Sequence, residues 1–351
     1  MANPDTLASC APADLARFDM IIDARSPAEF AEDHVPGAVN LPVLDNEERA
    51  RVGTIYVQES PFLARKLGAA LVARNVARHL ETVLKDQPAS FRPLVYCWRG
   101  GQRSGAMATI LAQVGWRTTL LQGGYKTYRR GVQERLYGPP LPLRLVLLDG
   151  GTGSGKTEVL RLLAEMGAQT LDLEGLAGHR GSVFGGLAEA QPSQKLFESR
   201  LIEALEGLDP ARTVVVEAES SKIGDRMVPP ALWDVMAAAP RIELIAPREA
   251  RARYLVRAYA DLTHDTAALK AGLARLPVHV SREEVSALIA LAEAGQYEAL
   301  AAGLMQVHYD PAYARSRKRD QRPWLGQVLA SDLEPPDLLK AAAAIRALSP
   351  D

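Results

Sequence analysis

A cysteine in a glycine-bearing turn is the first group in the chain that could do covalent chemistry. Cys97 follows the apolar residues 94–96, and the segment after it reads Trp98-Arg99-Gly100-Gly101-Gln102-Arg103-Ser104. Backbone N–H groups of such a turn, flanking arginines and the positive end of a following helix all stabilise a thiolate. The pattern predicts a nucleophilic Cys97, with Arg99 and Arg103 binding anionic oxygens. The alternative is a small buried thiol that only packs at a strand end.

A second group of residues has the pattern of a phosphate-binding loop. The segment Gly150-Gly151-Thr152-Gly153-Ser154-Gly155-Lys156-Thr157 fits G-x-x-x-x-G-K-[ST] and lies between an apolar stretch and a segment of helical periodicity. In this context the glycines let the backbone wrap an anion, and the lysine reaches the terminal phosphates. The sequence therefore predicts a phosphate or diphosphate site at residues 150–157, with Mg²⁺ held at Thr157.

Three sets of residues could complete that site. Glu217 ends an apolar stretch and is a candidate outer-sphere partner of Mg²⁺, or else a carboxylate that closes an exposed strand end. A glycine-rich segment predicts a substrate loop, with an ordinary surface excursion as the alternative; it carries His179, Arg180 and Ser182. Two arginines of one predicted helix could close over phosphates as a lid does, or form a solvated face. They are Arg251 and Arg257.

Aromatic and basic residues alternate near the C-terminus. This pattern is typical of surfaces that hold RNA phosphates and splayed bases, and a basic surface without a partner is the alternative. The net charge of −1 excludes a uniformly basic coat but not a local patch. The candidate RNA-binding residues are Tyr309, Tyr313, Arg315, Arg317, Lys318 and Arg319.

Length and composition limit the class of protein. A chain of 351 residues is too long for one ordinary core, and its 24% of charged residues is typical of soluble globular proteins. No apolar run is long enough to span a bilayer and the first residues lack a signal-like pattern, so we expect a cytoplasmic protein without a membrane partner. Two cysteines predict neither a disulfide framework nor structural zinc. The sequence does not indicate an oligomeric state.

Strands that alternate with helices must position these groups. Such alternation predicts an α/β protein with parallel sheets covered by helices. Gly138-Pro139-Pro140-Leu141-Pro142 breaks the pattern and predicts a linker at residues 138–142. We therefore expect a first domain at residues 1–137 and a second at 143–351, with a P-loop NTPase-like sheet and a mainly helical C-terminal region.

The first domain resembles the rhodanese family. Matching segments are Asp23-Ala24-Arg25, Glu29-Phe30, His34 to Pro42, and Gly123-Gly124-Tyr125. The resemblance implies that Cys97 carries sulfur or selenium. We interpret Asp23 and Arg25 as a structural ion pair and His34 as a turn-stabilising residue. Five residues separate Cys97 from Arg103, which is the spacing of cysteine phosphatases. In many rhodaneses the corresponding spacing is one residue shorter. Phosphoester chemistry is therefore the alternative, unless the longer loop of this chain accepts a phosphate-bearing chalcogen donor.

The order of the two domains resembles the bacterial tRNA 2-selenouridine synthase family. The resemblance implies a transferase that replaces sulfur by selenium in the wobble 2-thiouridine of tRNA. It further implies geranylation of the 2-thio group by geranyl diphosphate at the phosphate loop, then delivery of selenium from selenophosphate through Cys97. Phe184, Phe197 and Trp233 are candidates for a prenyl pocket, although we expect each to pack in a core. The alternatives are a P-loop kinase and a nucleotide-dependent regulator, either with a sulfurtransferase-like or phosphatase-like cysteine domain.

Overall fold

The chain forms two compact units in a computed structural model that describes residues 3–182, 184–186, 189–278 and 280–350. The first unit contains the residues up to Gly138 together with Pro192–Glu206. The second contains Pro139–Gln191 and the residues from Gly207 onward. The first unit thus takes in a helix that follows residue 142, which the predicted boundaries assign to the second domain.

The first unit begins with eleven elements that alternate between strand and helix over most of their length. They are β1 Asp5–Leu7, α1 Pro12–Leu15, β2 Met20–Asp23, α2 Pro27–Glu32, β3 Ala38–Asn40, α3 Asn46–Gln58, α4 Pro61–Glu81, β4 Pro93–Tyr96, α5 Gln102–Val114, β5 Thr119–Leu121 and α6 Tyr125–Leu136.

A parallel five-stranded sheet forms the centre of this unit. Its strand order is β1-β5-β4-β2-β3. All four residues of β4 are buried, and the core of the unit includes Ile22, Val95 and Leu111. Because β4 lies in the middle of the sheet, the turn that follows it is held between neighbouring strand ends. The edge strand β1 pairs with β5. The sequence pattern predicted no strand in the segment that forms β1.

The second unit contains the remaining elements, apart from α9. In chain order they are β6 Arg144–Asp149, α7 Lys156–Glu165, β7 Gln169–Leu171, α8 Leu173–Ala177, α9 Gln194–Glu206, β8 Thr213–Glu217, β9 Lys222–Ile223, β10 Arg226–Met227, α10 Pro230–Ala238, β11 Arg241–Ile245, α11 Arg248–Ala258, α12 Ala260–Thr263, α13 Thr266–Leu273, α14 Arg282–Glu293, α15 Tyr297–Leu304, a π-helix Met305–Tyr309, α16 Asp310–Arg319, β12 Trp324–Leu329 and α17 Pro335–Leu348.

The main sheet of this unit is also parallel, with the strand order β12-β11-β6-β8-β7. Strand β6 lies at its centre and leads directly into the phosphate-loop motif and α7. The predicted fold class, two α/β parallel sheets with a helical C-terminal region, is confirmed. One detail differs, because β12 adds a sheet strand within the region predicted as mainly helical. Within the described residues, no helix is both long and apolar enough to cross a membrane.

Helices α11 to α15 form a lobe with a small apolar core of its own. Buried side chains from α13, α14 and α15 make this core, among them Leu273, Leu288 and Leu300. Phe184 packs against the same cluster. We call this region the helical lobe.

Candidate active sites

The Cys97 turn is shaped by two glycines that approach it from the segment after β5. The backbone N–H of Tyr125 donates to the carbonyl oxygen of Cys97 at 2.8 Å. A Cβ atom on Gly124 would lie 2.1 Å from that oxygen and 2.5 Å from the amide nitrogen of Gly100. No side chain fits at Gly124, which also has a positive φ of 60°. The Gly123-Gly124-Tyr125 motif therefore packs directly against the cysteine turn.

A buried ion pair packs beside the cysteine turn. Arg25 and Asp23 are 1% and 0% exposed, and their closest atoms lie 2.6 Å apart. The Arg25 guanidinium also lies 4.1 Å from the ring centroid of Tyr125, whose hydroxyl donates to Asp33. The interpretation of Asp23 and Arg25 as a structural pair is confirmed.

The side chain of His34 stabilises the turn in which it lies. Its Nδ1 lies 2.9 Å from the carbonyl oxygen of Phe30, and the two rings stack with centroids 3.8 Å apart. These contacts agree with the structural interpretation of this histidine.

Cys97 itself is nearly buried, at 3% exposure. Its sulfur accepts a hydrogen bond from the hydroxyl of Ser104 at 3.1 Å. The sequence pattern did not single out Ser104, although its place in the first turn of α5 brings it back over the cysteine. The Ser104 hydroxyl therefore holds the sulfur against the first turn of α5.

The two arginines of the turn lie in different surroundings. Arg99 is exposed. Arg103 forms an ion pair with Glu29 at 2.6 Å, and Glu29 also pairs with Arg49 at 2.9 Å. Burial alone would raise the pKa of Glu29, but the hydrogen bond and charge of Arg103, with a smaller contribution from Arg49, lower it to about 2. Glu29 therefore fixes the position of Arg103 and compensates part of its charge.

The phosphate-loop motif lines a separate cleft of about 440 Å³. Six of its residues face the cleft, from Thr152 to Thr157. Gly150 and Gly151 do not line it, and the Lys156 ammonium donates to the carbonyl oxygen of Gly150 at 2.9 Å. Lys156 and Thr157 begin α7, so a bound anion would also face the positive end of that helix. The predicted anion site is therefore assembled from consecutive residues on one turn.

Carboxylates form the opposite wall of this cleft. Asp172, Glu174 and Glu219 line it, and the hydroxyl of Thr157 donates to Glu174 at 3.3 Å. Burial, and then the charge of Glu219, raise the pKa of Glu174 to about 8. Oxygen ligands of this kind, combined with substrate phosphates, suit Mg²⁺. Among the described residues, no three acidic, histidine or cysteine side chains are close enough to hold a metal unaided.

Glu217 lies neither beside the predicted Mg²⁺ position nor at an exposed strand end. It is 0% exposed and does not line the cleft, and its Oε2 accepts the N–H of Leu173. Burial, with the nearby charges of Asp172 and Glu174, raises its pKa well above the usual range. The structure thus brings Glu219, two residues later, to the cleft. Glu217 is the last residue of β8, which lies between β6 and β7 with its last four residues buried, whereas Glu219 follows the end of the strand.

The glycine-rich segment reaches the cleft as expected of a substrate loop. His179, Arg180 and Ser182 all line it. The Ser182 hydroxyl lies 3.1 Å from the hydroxyl of Tyr259, and the Arg180 guanidinium lies 4.5 Å from the centroid of the same ring. Burial lowers the pKa of His179, so its imidazole is neutral at pH 7. Tyr259, a residue that the sequence pattern did not indicate, therefore anchors this loop to α11.

The two candidate lid arginines do not line the cleft. Arg251 lies behind the phosphate loop, where its Nε donates to the carbonyl oxygen of Thr152 at 2.9 Å and its guanidinium pairs with Asp310 at 2.6 Å. Arg257 forms an ion pair with Glu334. Arg251 thus holds the loop in shape, and neither residue has the geometry of a lid in this structure.

The aromatic and basic residues near the C-terminus separate into three groups. Tyr309 lines the cleft. Tyr313 and Arg317 both donate to the buried carboxylate of Glu243. Arg315, Lys318 and Arg319 are exposed on α16. Arg317 is itself 40% exposed, so it joins these three as a basic side chain presented to solvent, whereas Tyr309 and Tyr313 are half-buried.

The three aromatic candidates for a prenyl pocket also differ. Phe197 is fully buried in the first unit and Trp233 is half-buried on α10, as expected of packed residues. Phe184 packs against the helical lobe and lines an apolar pocket there.

Comparison with known proteins gives matches in both halves of the chain. Residues 11–130 match the rhodanese-like domain family, and residues 143–291 match the tRNA 2-selenouridine synthase AAA domain. The tRNA 2-selenouridine synthase of Proteus mirabilis is 37% identical over 254 residues, which cover 72% of this chain and 69% of that protein. The Shewanella loihica protein of the same name is 37% identical over 253 residues, covering 71% and 67%. A rhodanese-related protein from Thermoplasma volcanium, a solved structure, is 18% identical, covers 36% of this chain and 93% of that one, and has a TM-score of 0.22.

Proposed function

Since the chain belongs to the tRNA 2-selenouridine synthase family, we propose that it is the transferase that replaces sulfur by selenium in the wobble 2-thiouridine of tRNA. The observation that carries this proposal is the presence of two distinct sites in one chain, a braced cysteine turn and a phosphate cleft of about 440 Å³. We assign selenation to the domain at residues 1–137 and geranylation to the domain at 143–351, joined by the linker 138–142. Helix α9 lies within the second range but packs with the first domain.

The first step is transfer of a geranyl group to the tRNA. The sulfur of 2-thiouridine attacks C1 of geranyl diphosphate, the C–O bond breaks, and diphosphate leaves while the uridine N3 proton goes to solvent. Lys156 and the backbone N–H groups of Thr152, Gly153 and Gly155 would stabilise the charge that develops on the leaving diphosphate. Thr157, Glu174 and Glu219 would hold Mg²⁺ beside it, which would neutralise further negative charge.

The second step takes place at Cys97. The Cys97 thiolate attacks the phosphorus of selenophosphate, so that an S–P bond forms and the P–Se bond breaks to release hydrogen selenide. Hydrogen selenide then adds to C2 of the geranylated base, geranyl thiolate leaves, and N3 regains a proton. Water hydrolyses the phosphocysteine to phosphate. If selenium instead bonded to the cysteine sulfur, the phosphorus would have to leave as phosphite, because that bond oxidises selenium.

The separation of five residues between Cys97 and Arg103 supports attack at phosphorus, since it is the spacing of cysteine phosphatases. Exposed Arg99 and ion-paired Arg103 are the cations available to the phosphate oxygens. Ser104 would stabilise the attacking thiolate. The tRNA itself would be bound in part by Arg315, Lys318 and Arg319 on α16.

Reconstitution tests the proposal. The purified full chain is mixed with tRNA that carries wobble 2-thiouridine, geranyl diphosphate, selenophosphate and Mg²⁺, and the digested nucleosides are identified by mass spectrometry. We expect S-geranyl-2-thiouridine to form first and 2-selenouridine to replace it, with release of phosphate. If neither nucleoside forms, the proposed function is wrong. In a parallel reaction that also contains ATP, consumption of ATP without any change in the nucleosides would favour the kinase alternative.

A further inference from the structure

A second pocket opens in the helical lobe beside the phosphate cleft. It has a volume of about 80 Å³ and lies between α11, α13 and α15, with Phe184 contributing from the glycine-rich loop. Its walls are almost entirely hydrocarbon, and they include Val256, Leu262, Leu269, Leu273 and Leu300. One water molecule needs about 10–15 Å³ of such volume, and a methylene group is of similar size. The cavity therefore holds about five methylene groups.

The pocket and the phosphate cleft share part of their lining. The residues that line both are Thr152, Ser182, Leu255, Tyr259 and Tyr309. Thr152 belongs to the phosphate loop, so the apolar pocket begins where the anion site ends. The hydroxyls of Ser182 and Tyr259 pair with each other at this junction. A single ligand that occupies both spaces must carry a phosphate head and a hydrocarbon tail.

We propose that this pocket binds the hydrocarbon tail of an allylic isoprenoid diphosphate whose diphosphate lies on the phosphate loop, and that it limits the tail to two isoprene units. The proposal rests on the proposed geranyl transfer and adds the place and length limit of the tail. The distal five-carbon unit fills the pocket, and the proximal unit lies at the junction between the rings of Tyr259 and Tyr309. C1, the carbon attacked by sulfur, then lies next to the phosphate loop.

A nucleoside does not suit this pocket. A base and a ribose carry several hydrogen-bonding groups, and burying them against Leu262, Leu269 and Leu273 would leave those groups without partners. A prenyl tail has no such groups. Each methylene that it buries strengthens binding by about fourfold.

Phe184 and Gly272 set the proposed limit on tail length. A Cβ atom on Gly272 would lie 2.3 Å from Cε1 of Phe184, so the ring lies directly on the backbone of α13. This packing fixes an aromatic wall of the pocket. A third isoprene unit has no room while the ring is in place.

Filling the pocket tests where the tail binds. Ala301 lines the pocket, whereas its neighbour Ala302 on α15 does not and is similarly half-buried, which makes Ala302→Phe a matched control. Binding of geranyl diphosphate, dimethylallyl diphosphate and inorganic pyrophosphate to the full chain is measured by calorimetry. We expect Ala301→Phe to weaken geranyl diphosphate binding by at least about tenfold, with pyrophosphate unchanged, and Ala302→Phe to alter neither. Wild-type affinity for geranyl diphosphate in Ala301→Phe would overturn the proposed tail site.

Enlarging the pocket provides a second test that does not depend on adding bulk. Phe184→Ala should raise the ratio of farnesyl to geranyl transfer at least about tenfold, since removing the ring makes room for further methylene groups. An unchanged ratio would overturn the length limit. Failure of the proposed function has a different signature, because wild-type protein would then make no geranylated tRNA at all. If geranylated tRNA forms but both variants behave as wild type, only the tail site is wrong.

Discussion

The hydroxyl of Ser104 donates a hydrogen bond to the sulfur of Cys97 across 3.1 Å, and both side chains are buried. A hydrogen bond to a charged group in such surroundings contributes about 1.5–3 kcal/mol. Ser104 therefore links the reacting sulfur of Cys97 to the first turn of α5.

Replacing Ser104 by alanine should therefore slow selenation. We expect Ser104→Ala to convert supplied geranylated tRNA to 2-selenouridine about tenfold more slowly or worse, with geranylation at the wild-type rate. Single-turnover assays followed by nucleoside analysis measure both rates. Thr109→Ala, on an exposed turn of the same helix, is the control and should change neither. An equal loss of both activities would show that Ser104 acts on the fold instead.

The glycine beside the cysteine turn gives a prediction about stability. Gly124→Ala would place a Cβ atom 2.1 Å from the Cys97 carbonyl oxygen, so we expect it to destabilise the first unit by at least about 3 kcal/mol and to abolish selenation. Gly131→Ala, on α6, meets no atom within 4 Å and should be neutral or stabilise by up to about 1 kcal/mol. Urea unfolding monitored by circular dichroism compares the two. Equal stabilities would contradict the close packing of the glycine motif on the turn.

The Glu29 carboxylate makes stability depend on pH. Burial opposes its ionisation, but Arg103, the N–H of Ser26 and Arg49 reverse that effect and lower its pKa from the ordinary 4.5 to about 2. A depressed pKa means that the folded protein favours the charged form, so this stabilisation is complete above pH 4.5 and is lost as the pH falls toward 2. We expect Glu29→Gln to cost about 2 kcal/mol at pH 7 and to lose less stability than wild type between those pH values. Parallel acid profiles for the two proteins would refute this role.

The phosphate loop can be tested separately from the cysteine. Lys156→Ala should reduce geranylation by at least about a hundredfold, because it removes the ammonium that faces the leaving diphosphate. The same variant should selenate pre-geranylated tRNA at the wild-type rate. Lys340→Ala, an exposed lysine on α17, serves as the control. Intact geranylation by Lys156→Ala would mean that the loop does not hold the diphosphate.

Motifs that depend on backbone shape could be predicted from the sequence. The phosphate loop and the cysteine turn each need glycines at fixed spacing after an apolar strand, and Gly124 and Lys156 lie where those motifs require them. The parallel sheets followed from the alternation of strand and helix. Asp23 and Arg25 form the expected ion pair because Asp23 ends β2 and Arg25 follows it by two residues.

Contacts between distant segments could not be predicted in this way. Whether Glu217 or Glu219 faces the cleft depends on where β8 ends, because Glu217 is its last, buried residue and Glu219 lies beyond it. Arg251 has a partner, Asp310, that lies 59 residues away in the chain. The apolar pocket is formed by helices whose own periodicity indicates only that each has a buried face. Such residues are identified only when the packing of the helices is known.

The most direct test of the central claim is the nucleoside profile made by Cys97→Ser. With thiolated tRNA, geranyl diphosphate, selenophosphate and Mg²⁺, this variant should accumulate S-geranyl-2-thiouridine at the wild-type rate and produce no 2-selenouridine detectable by mass spectrometry. That result would place selenation at Cys97 and show that geranylation takes place at a different site. Wild-type yields of 2-selenouridine from Cys97→Ser, or no geranylated base, would contradict the account.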